Sequence, residues 1–153
     1  MVYISQQITD PFVWETEEYV FLRASNVYKL FDPADYGLKP TPPNTACWKG
    51  FVVHFLVKNK QLYVEKLKVH CEDGMYPAIN GIEATYYGGF HEYNELNMPV
   101  TYTGKIIIGN QMDEGFYGRA FTGPHSYRRT YELVFRKGIL KRYKETSGRY
   151  RGI

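Results

Sequence analysis

Apolar and polar residues alternate in short runs along most of the chain, broken at intervals by Gly, Pro, Asn and Asp. Alternation with period two puts successive side chains on opposite faces of an extended strand, so the pattern predicts an all-β fold. Strands are expected at 2–8, 18–24, 50–58, 61–71, 82–87, 100–109, 129–136 and 139–146. The cleanest alternation is TYTGKIIIG, in which Tyr102, Ile106 and Ile108 share one face while Thr101, Thr103 and Lys105 share the other.

Helical spacing is confined to one short stretch, 26–31, where Val27, Leu30 and Phe31 fall at i, i+3 and i+4. Ser25 is placed to cap it, and Asp32-Pro33 stops it because proline disfavours helical geometry in the preceding residue. In DPADYG a further single turn is expected, capped by Asp32, opened by Pro33 and ended by Gly37.

The segment FVVHFLVKNKQLYVEKLKV predicts a hairpin turning at Asn59-Lys60, with Val57 opposite Leu62 and Phe55 opposite Val64. Unbroken register would then set Val53 against Lys66. A one-residue bulge near Glu65-Lys66 instead brings Val53 to Leu67 and Phe51 to Val69. A second hairpin, TYELVFRKGILKRYKET, turns at Lys137-Gly138 with Tyr131, Leu133 and Phe135 inward. Its last strand carries Lys141, Arg142 and Lys144, so neither face is wholly apolar. The expected architecture is an antiparallel meander closed as an up-and-down β-barrel. The alternative is a β-sandwich with a charged edge strand.

Composition adds size and surface character. A chain of 153 residues is expected to form a single β domain, 1–153, with a basic tail from about 147. Fifteen residues are Tyr, a side chain with a large apolar body and a hydrogen-bonding tip that suits sheets and half-wet surfaces. The start MVYISQQITD has neither a basic n-region nor an apolar h-region, and two cysteines do not make a disulfide scaffold. The expected location is therefore cytoplasmic, with no membrane partner.

Charge is distributed unevenly. Nine basic and two acidic residues lie between Tyr127 and Ile153, although the whole chain carries only +3. Cations interleaved with Tyr143 and Tyr150 suit single-stranded nucleic acid, but a charged edge strand with a solvated tail accounts for them more simply. Nucleic acid is not an expected partner.

The search for reaction chemistry returns no catalytic residue. Cys47 has His54 as its nearest histidine, but the two differ in parity and face opposite ways along a strand, so Cys47 reads as a small inert hydrophobe. Cys71 lies diagonal to it in the bulged register, too far for a disulfide. His54 and His70 share a face but stand too far apart for one metal ion. HEYNE lacks the second histidine of a zinc-protease helix, HCE has no downstream cysteine pair, and no glycine spacing matches a phosphate loop. No metal or cofactor is expected.

What remains is a set of aromatic residues in or beside Gly- and Pro-rich loops: Trp48, Tyr86, Tyr87, Phe90, His91 and Tyr93. Aromatics on loops held by a rigid scaffold form pocket linings and docking patches. The expected function is non-enzymatic: binding of a small, partly apolar ligand at an aromatic-lined end of a β-barrel. The alternative is a protein-interaction module, an inhibitor or immunity-type partner that uses a tyrosine-rich surface.

Overall fold

The computed structural model describes residues 7–117 and 122–150. They form ten strands: β1 (Pro11–Trp14), β2 (Glu17–Ala24), β3 (Phe51–Lys58), β4 (Gln61–Val69), β5 (Thr85–Tyr87), β6 (Phe90–Tyr93), β7 (Met98–Pro99), β8 (Gly104–Met112), β9 (Tyr127–Arg136) and β10 (Ile139–Glu145). The helix α1 spans Val27–Leu30, and 3₁₀ turns lie at Pro33–Tyr36, Glu114–Phe116 and Pro124–Ser126.

The β3–β4 hairpin follows its predicted register throughout. Asn59 and Lys60 both take positive φ, as a type I′ turn requires, and Phe55 pairs with Val64 before His54 pairs with Lys66. Glu65 is thus the bulged residue, and its carbonyl, left out of the ladder, accepts the Leu96 N–H at 2.9 Å. The bulge returns Val53 to Leu67 and Phe51 to Val69, which keeps the apolar residues of both strands on the core side. Ile106, Ile108, Leu133 and Phe135 join the same buried cluster from β8 and β9. Burying a side chain of this size contributes about 1.5–3 kcal/mol, so a misregistered strand forfeits several such terms together.

The strand connectivity departs from the expected meander. Pairing runs β1–β2–β8–β9–β10–β4–β3 and returns to β1, a ring of seven strands within one mixed sheet. β1 and β3 lie parallel, with Phe12 beside Phe55 and Val13 beside Leu56, so the sheet is neither wholly antiparallel nor up-and-down. The reason is the identity of the first strand. The expected strand at 2–8 falls on residues 2–6, which lie outside the described residues, and on Gln7 and Ile8, which are not in a strand. The short run PFVW takes the first position in the ring instead. It turns into β2 through Glu15 and Thr16, both at positive φ and neither a residue that marks a type I′ turn in sequence.

β4 explains why the ring closes over so short a length. One of its edges belongs to β3. The other is divided among β10 at Gln61, β7 at Tyr63 and Val64, and β6 from Leu67 to Val69. β10 therefore meets β4 only at its start: Leu62 N–H donates to Gly138 O at 2.9 Å and Leu140 N–H to Lys60 O at 2.7 Å. Beyond that junction residues 141–145 are exposed, which agrees with the charged character expected of this strand.

The outer face of β8, β9 and β10 carries a charge cluster around Glu132. Its carboxylate, nearly buried, lies 3.1 Å from Lys105 Nζ, 3.6 Å from Lys144 Nζ and 4.0 Å from Arg149 Nη1. Burial alone would raise the Glu132 pKa, but the hydrogen bond and charge of Lys105, joined by Lys144, hold it below the ordinary value. Arg149 belongs to the segment expected as a basic tail, whose described part, 147–150, lies against the sheet through Arg149 and Ser147.

Two outcomes follow from closure and from this cluster. Gly138 has φ +82°, and a Cβ on it would lie 1.9 Å from Val100 O, whereas Gly88 at φ +62° faces open space. Gly138→Ala should cost about 3 kcal/mol or more in urea denaturation and Gly88→Ala about 1 kcal/mol; equal costs would show that closure at β10 is not tight. The lowered Glu132 pKa means that its stabilisation is complete above the ordinary glutamate value and is lost as pH falls through the folded value. Glu132→Gln should therefore lower the melting temperature at pH 7 and flatten its decline between about pH 5 and pH 3.

Candidate ligand cavity beneath the short helix

A largely apolar hollow lies at the end of the β1–β2 hairpin away from its turn. Asp10 precedes β1 there, and α1 follows β2. The helix is capped by Asn26, whose side chain accepts the Lys29 N–H at 3.3 Å, and not by the expected Ser25. Ser25 instead accepts Lys105 N–H through Oγ and donates its own N–H to the Tyr102 hydroxyl, which fixes the exit from β2 against β8. Leu30 and Phe31 turn into the core as the helical spacing predicts, while Val27, the third residue of that stripe, is 47% exposed. The turn at Pro33–Tyr36 forms as expected. Asp32 Oδ1 accepts Ala34 N–H at 3.0 Å, and Gly37 ends the turn at φ +74°.

Between this helix–turn unit and strands β2 and β3 is a cavity of about 350 Å³. That volume is at the small end of the range for small-molecule sites, roughly 300–1,000 Å³. Phe21, Phe51, Val53 and Phe55 form its sheet side, Leu30 and Phe31 its helix side, and Tyr28 stands at the rim, 73% exposed. Two charged groups, Asp10 and Lys49, enter this apolar shell at one corner, and Asp32 also lines it. Asp10 is buried, with Oδ1 accepting Val53 N–H at 2.9 Å and Oδ2 bonded to the Lys49 ammonium. Lys49 Nζ also lies 4.6 Å from the centroid of the Phe51 ring. The backbone carbonyl of Asp10 accepts Phe21 N–H, so this one residue joins β1, β2 and β3 at the cavity wall.

The six residues expected to bind a ligand lie elsewhere and do not form one site. Tyr86 and Tyr87 lie on the edge strand β5, paired with His91 and Phe90 of β6, and are 71% and 72% exposed. His91 stacks on Tyr76, ring centroids 3.7 Å apart, and meets Tyr86 edge-on at 5.4 Å. Together with His70 and Pro43 these rings border an open, shallow hollow of about 500 Å³. Tyr93 is fully buried; its hydroxyl donates to Pro77 O at 2.7 Å, and burial pushes its pKa up to about 12. Its place is in the core, not in a lining. Trp48 is 41% exposed, borders neither hollow, and its backbone N–H donates to Gln7 Oε1.

The groups weighed for chemistry have structural partners. Burial pushes the Cys47 thiol up, against the opposing pull of the Gly50 backbone and Lys49, and its Sγ lies 3.8 Å from Phe51 O. Cys71 is buried too, with its pKa raised for the same reason, and both thiols are free. His70 Nδ1 is 2.9 Å from Thr41 O and 3.1 Å from Thr41 Oγ1, a clamp that holds the proline-rich loop to the end of β4. Gly50 permits that approach, because a Cβ on it would lie 2.8 Å from Thr41 backbone atoms.

The residues that sequence reasoning missed are Asp10, Lys49 and the ring set around them. Lys49 is next to the Cys47-Trp48 pair that drew attention in the sequence, yet it is Lys49 that reaches the cavity. A weak signal existed: an isolated Asp directly before one strand and a Lys two residues before another. Only the parallel β1–β3 pairing makes them neighbours. Among the described residues no helix is long and apolar enough to cross a membrane. No known protein family, curated protein or solved structure matches the chain.

The two roles of the Asp10 carboxylate separate by substitution. Asp10→Asn keeps an oxygen for Val53 N–H and loses the charge facing Lys49, for a cost of about 1 kcal/mol because that lysine is half exposed. Asp10→Ala also strands the buried Val53 donor and should cost about 3 kcal/mol in chemical denaturation. Equal costs for the two variants would refute a structural role for the Val53 bond.

Proposed function

We propose that the protein is a non-enzymatic binding protein that holds a small, partly apolar ligand in the cavity beneath α1. The seven-strand ring serves as the barrel-like scaffold. The observation that carries this reading is the cavity itself, an apolar shell with a few charged groups in its lining and its rim open to solvent. Sites for small organic molecules have this composition: apolar walls supply most of the affinity, and a few placed polar groups set orientation. Two free, buried thiols fit a reducing compartment, so the proposed location is the cytoplasm.

A second reading rests on a different observation. Among the described residues the side of β5 away from β6 is an open sheet edge with two exposed tyrosines, and an extended segment of a partner protein can add to such an edge. In that reading Tyr86 and Tyr87 are the contact residues of an inhibitor or immunity-type module.

Thermal-shift screening against small aliphatic and aromatic compounds tests the first reading. Binders should raise the melting temperature of the native chain. Ala34, exposed on the cavity rim, offers a way to block the mouth without touching the core. Ala34→Trp should weaken those binders about tenfold or more while changing the melting temperature of the free protein by only about 2 °C. Binders unaffected by Ala34→Trp, or weakened only by Tyr86→Ser, would move the site to the β5–β6 hairpin.

A further inference from the structure

We infer that the cavity beneath α1 selects a ligand whose apolar body carries one positive charge, an organic amine or ammonium. This rests on the reading of the cavity as a ligand site and adds the sign of the ligand's charge. Two carboxylates, Asp10 and Asp32, border the cavity against one ammonium, Lys49. Asp32 is engaged only as a cap to Ala34 N–H and makes no ion pair among the described residues, so its charge at the rim is uncompensated. Five aromatic rings, Phe21, Tyr28, Phe31, Phe51 and Phe55, line the same space. Aromatic faces are the negative side of a quadrupole, and rings together with carboxylates make the surroundings in which organic cations are held.

The structure already shows an ammonium in that position. Lys49 Nζ sits over the Phe51 ring at 4.6 Å and bonds Asp10 Oδ2. Its side chain is 43% exposed, against 10% for Asp10. A lysine at a rim can withdraw its charge into water by a change of rotamer. Asp10 cannot follow, because Oδ1 is fixed by Val53 N–H. A buried carboxylate deprived of its cation is costly, so it favours replacement of one ammonium by another. Lys49 thus acts as an internal occupant that a ligand amine displaces. An anionic ligand reaching Lys49 would instead meet Asp10 beside it and the charge of Asp32 in the same lining.

Titration calorimetry with three probes of similar body, 2-phenylethylamine, 2-phenylethanol and 3-phenylpropionate, tests the inference. The amine should bind about tenfold more tightly than the alcohol, with the carboxylate weakest. Lys49→Met removes the internal occupant, so it should strengthen the amine several-fold, and the amine should restore the melting temperature lost by that variant. Asp32→Asn should weaken the amine about threefold and leave the alcohol unchanged; this arm decides the matter if Lys49→Met does not fold. A carboxylate that binds best and is lost in Lys49→Met overturns the inference, as does equal binding of amine and alcohol; both results leave the cavity reading standing. Failure of all three probes to bind overturns the cavity reading together with the inference.

Discussion

The carboxylate of Asp10 is the point on which the ring depends. The β1–β3 junction is parallel and spans only two residue pairs, Phe12 with Phe55 and Val13 with Leu56. Such a short parallel ladder supplies few hydrogen bonds of its own. Asp10 extends it by a side-chain bond to Val53 N–H, ties in β2 through the Phe21 N–H, and takes the Lys49 ammonium as its counter-charge. Without that tie β1 has a firm partner only in β2. The ring would then open on the side where the cavity lies. Fold and candidate site therefore share a single buried charge.

At the opposite closure the constraint is steric. β10 reaches β4 through the turn at Lys137-Gly138, whose backbone lies against Val100 and Tyr102 so closely that a side chain at 138 has no room. The rest of that β4 edge is taken by β7 and β6, so the β5–β6 hairpin extends outward from the ring. One strand thus divides the molecule into a ring with a cavity and an exposed flap with two tyrosines. The two functional readings correspond to those two parts. Each part holds a buried carboxylate, Asp10 in the ring and Glu92 in the flap, but it is Asp10 that borders the apolar cavity.

Away from the cavity, the inside of the ring is filled. Trp14, Tyr19, Tyr131 and Tyr143 make edge-on and tilted contacts near the β1–β2 turn, centroids 4.8–6.0 Å apart, and close that end. The Tyr19 hydroxyl donates to Glu17, and burial is the main reason its pKa is raised. Much of the tyrosine excess is therefore structural, with hydroxyls directed at partners along the sheet margins. This is why the aromatic content alone did not locate a site.

Local chemistry was legible in the sequence wherever neighbours in the chain are also neighbours in space. The Asn59-Lys60 turn, the Glu65 bulge, the helix near 26–31 and the capped turn at Asp32-Pro33 all depend on contacts within about twenty residues, and alternation with turn residues reports such contacts directly. The strand PFVW was hidden because four residues carry too little periodicity and Glu15-Thr16 is not a recognisable turn pair. The six expected site residues do not gather into one site for a related reason. Tyr93 and Tyr86 both read as loop aromatics, but Tyr93 is buried opposite Leu67 where β6 pairs with β4, and Tyr86 is exposed on the edge strand β5. By itself the sequence determined the strands' faces, the bulge and the all-β class, since side-chain direction along a strand is a local property. Only the tertiary structure decided that β1 runs parallel to β3 and that Asp10 meets Lys49 beside five aromatic rings, since those partners are brought together by ring closure and not by any spacing along the chain.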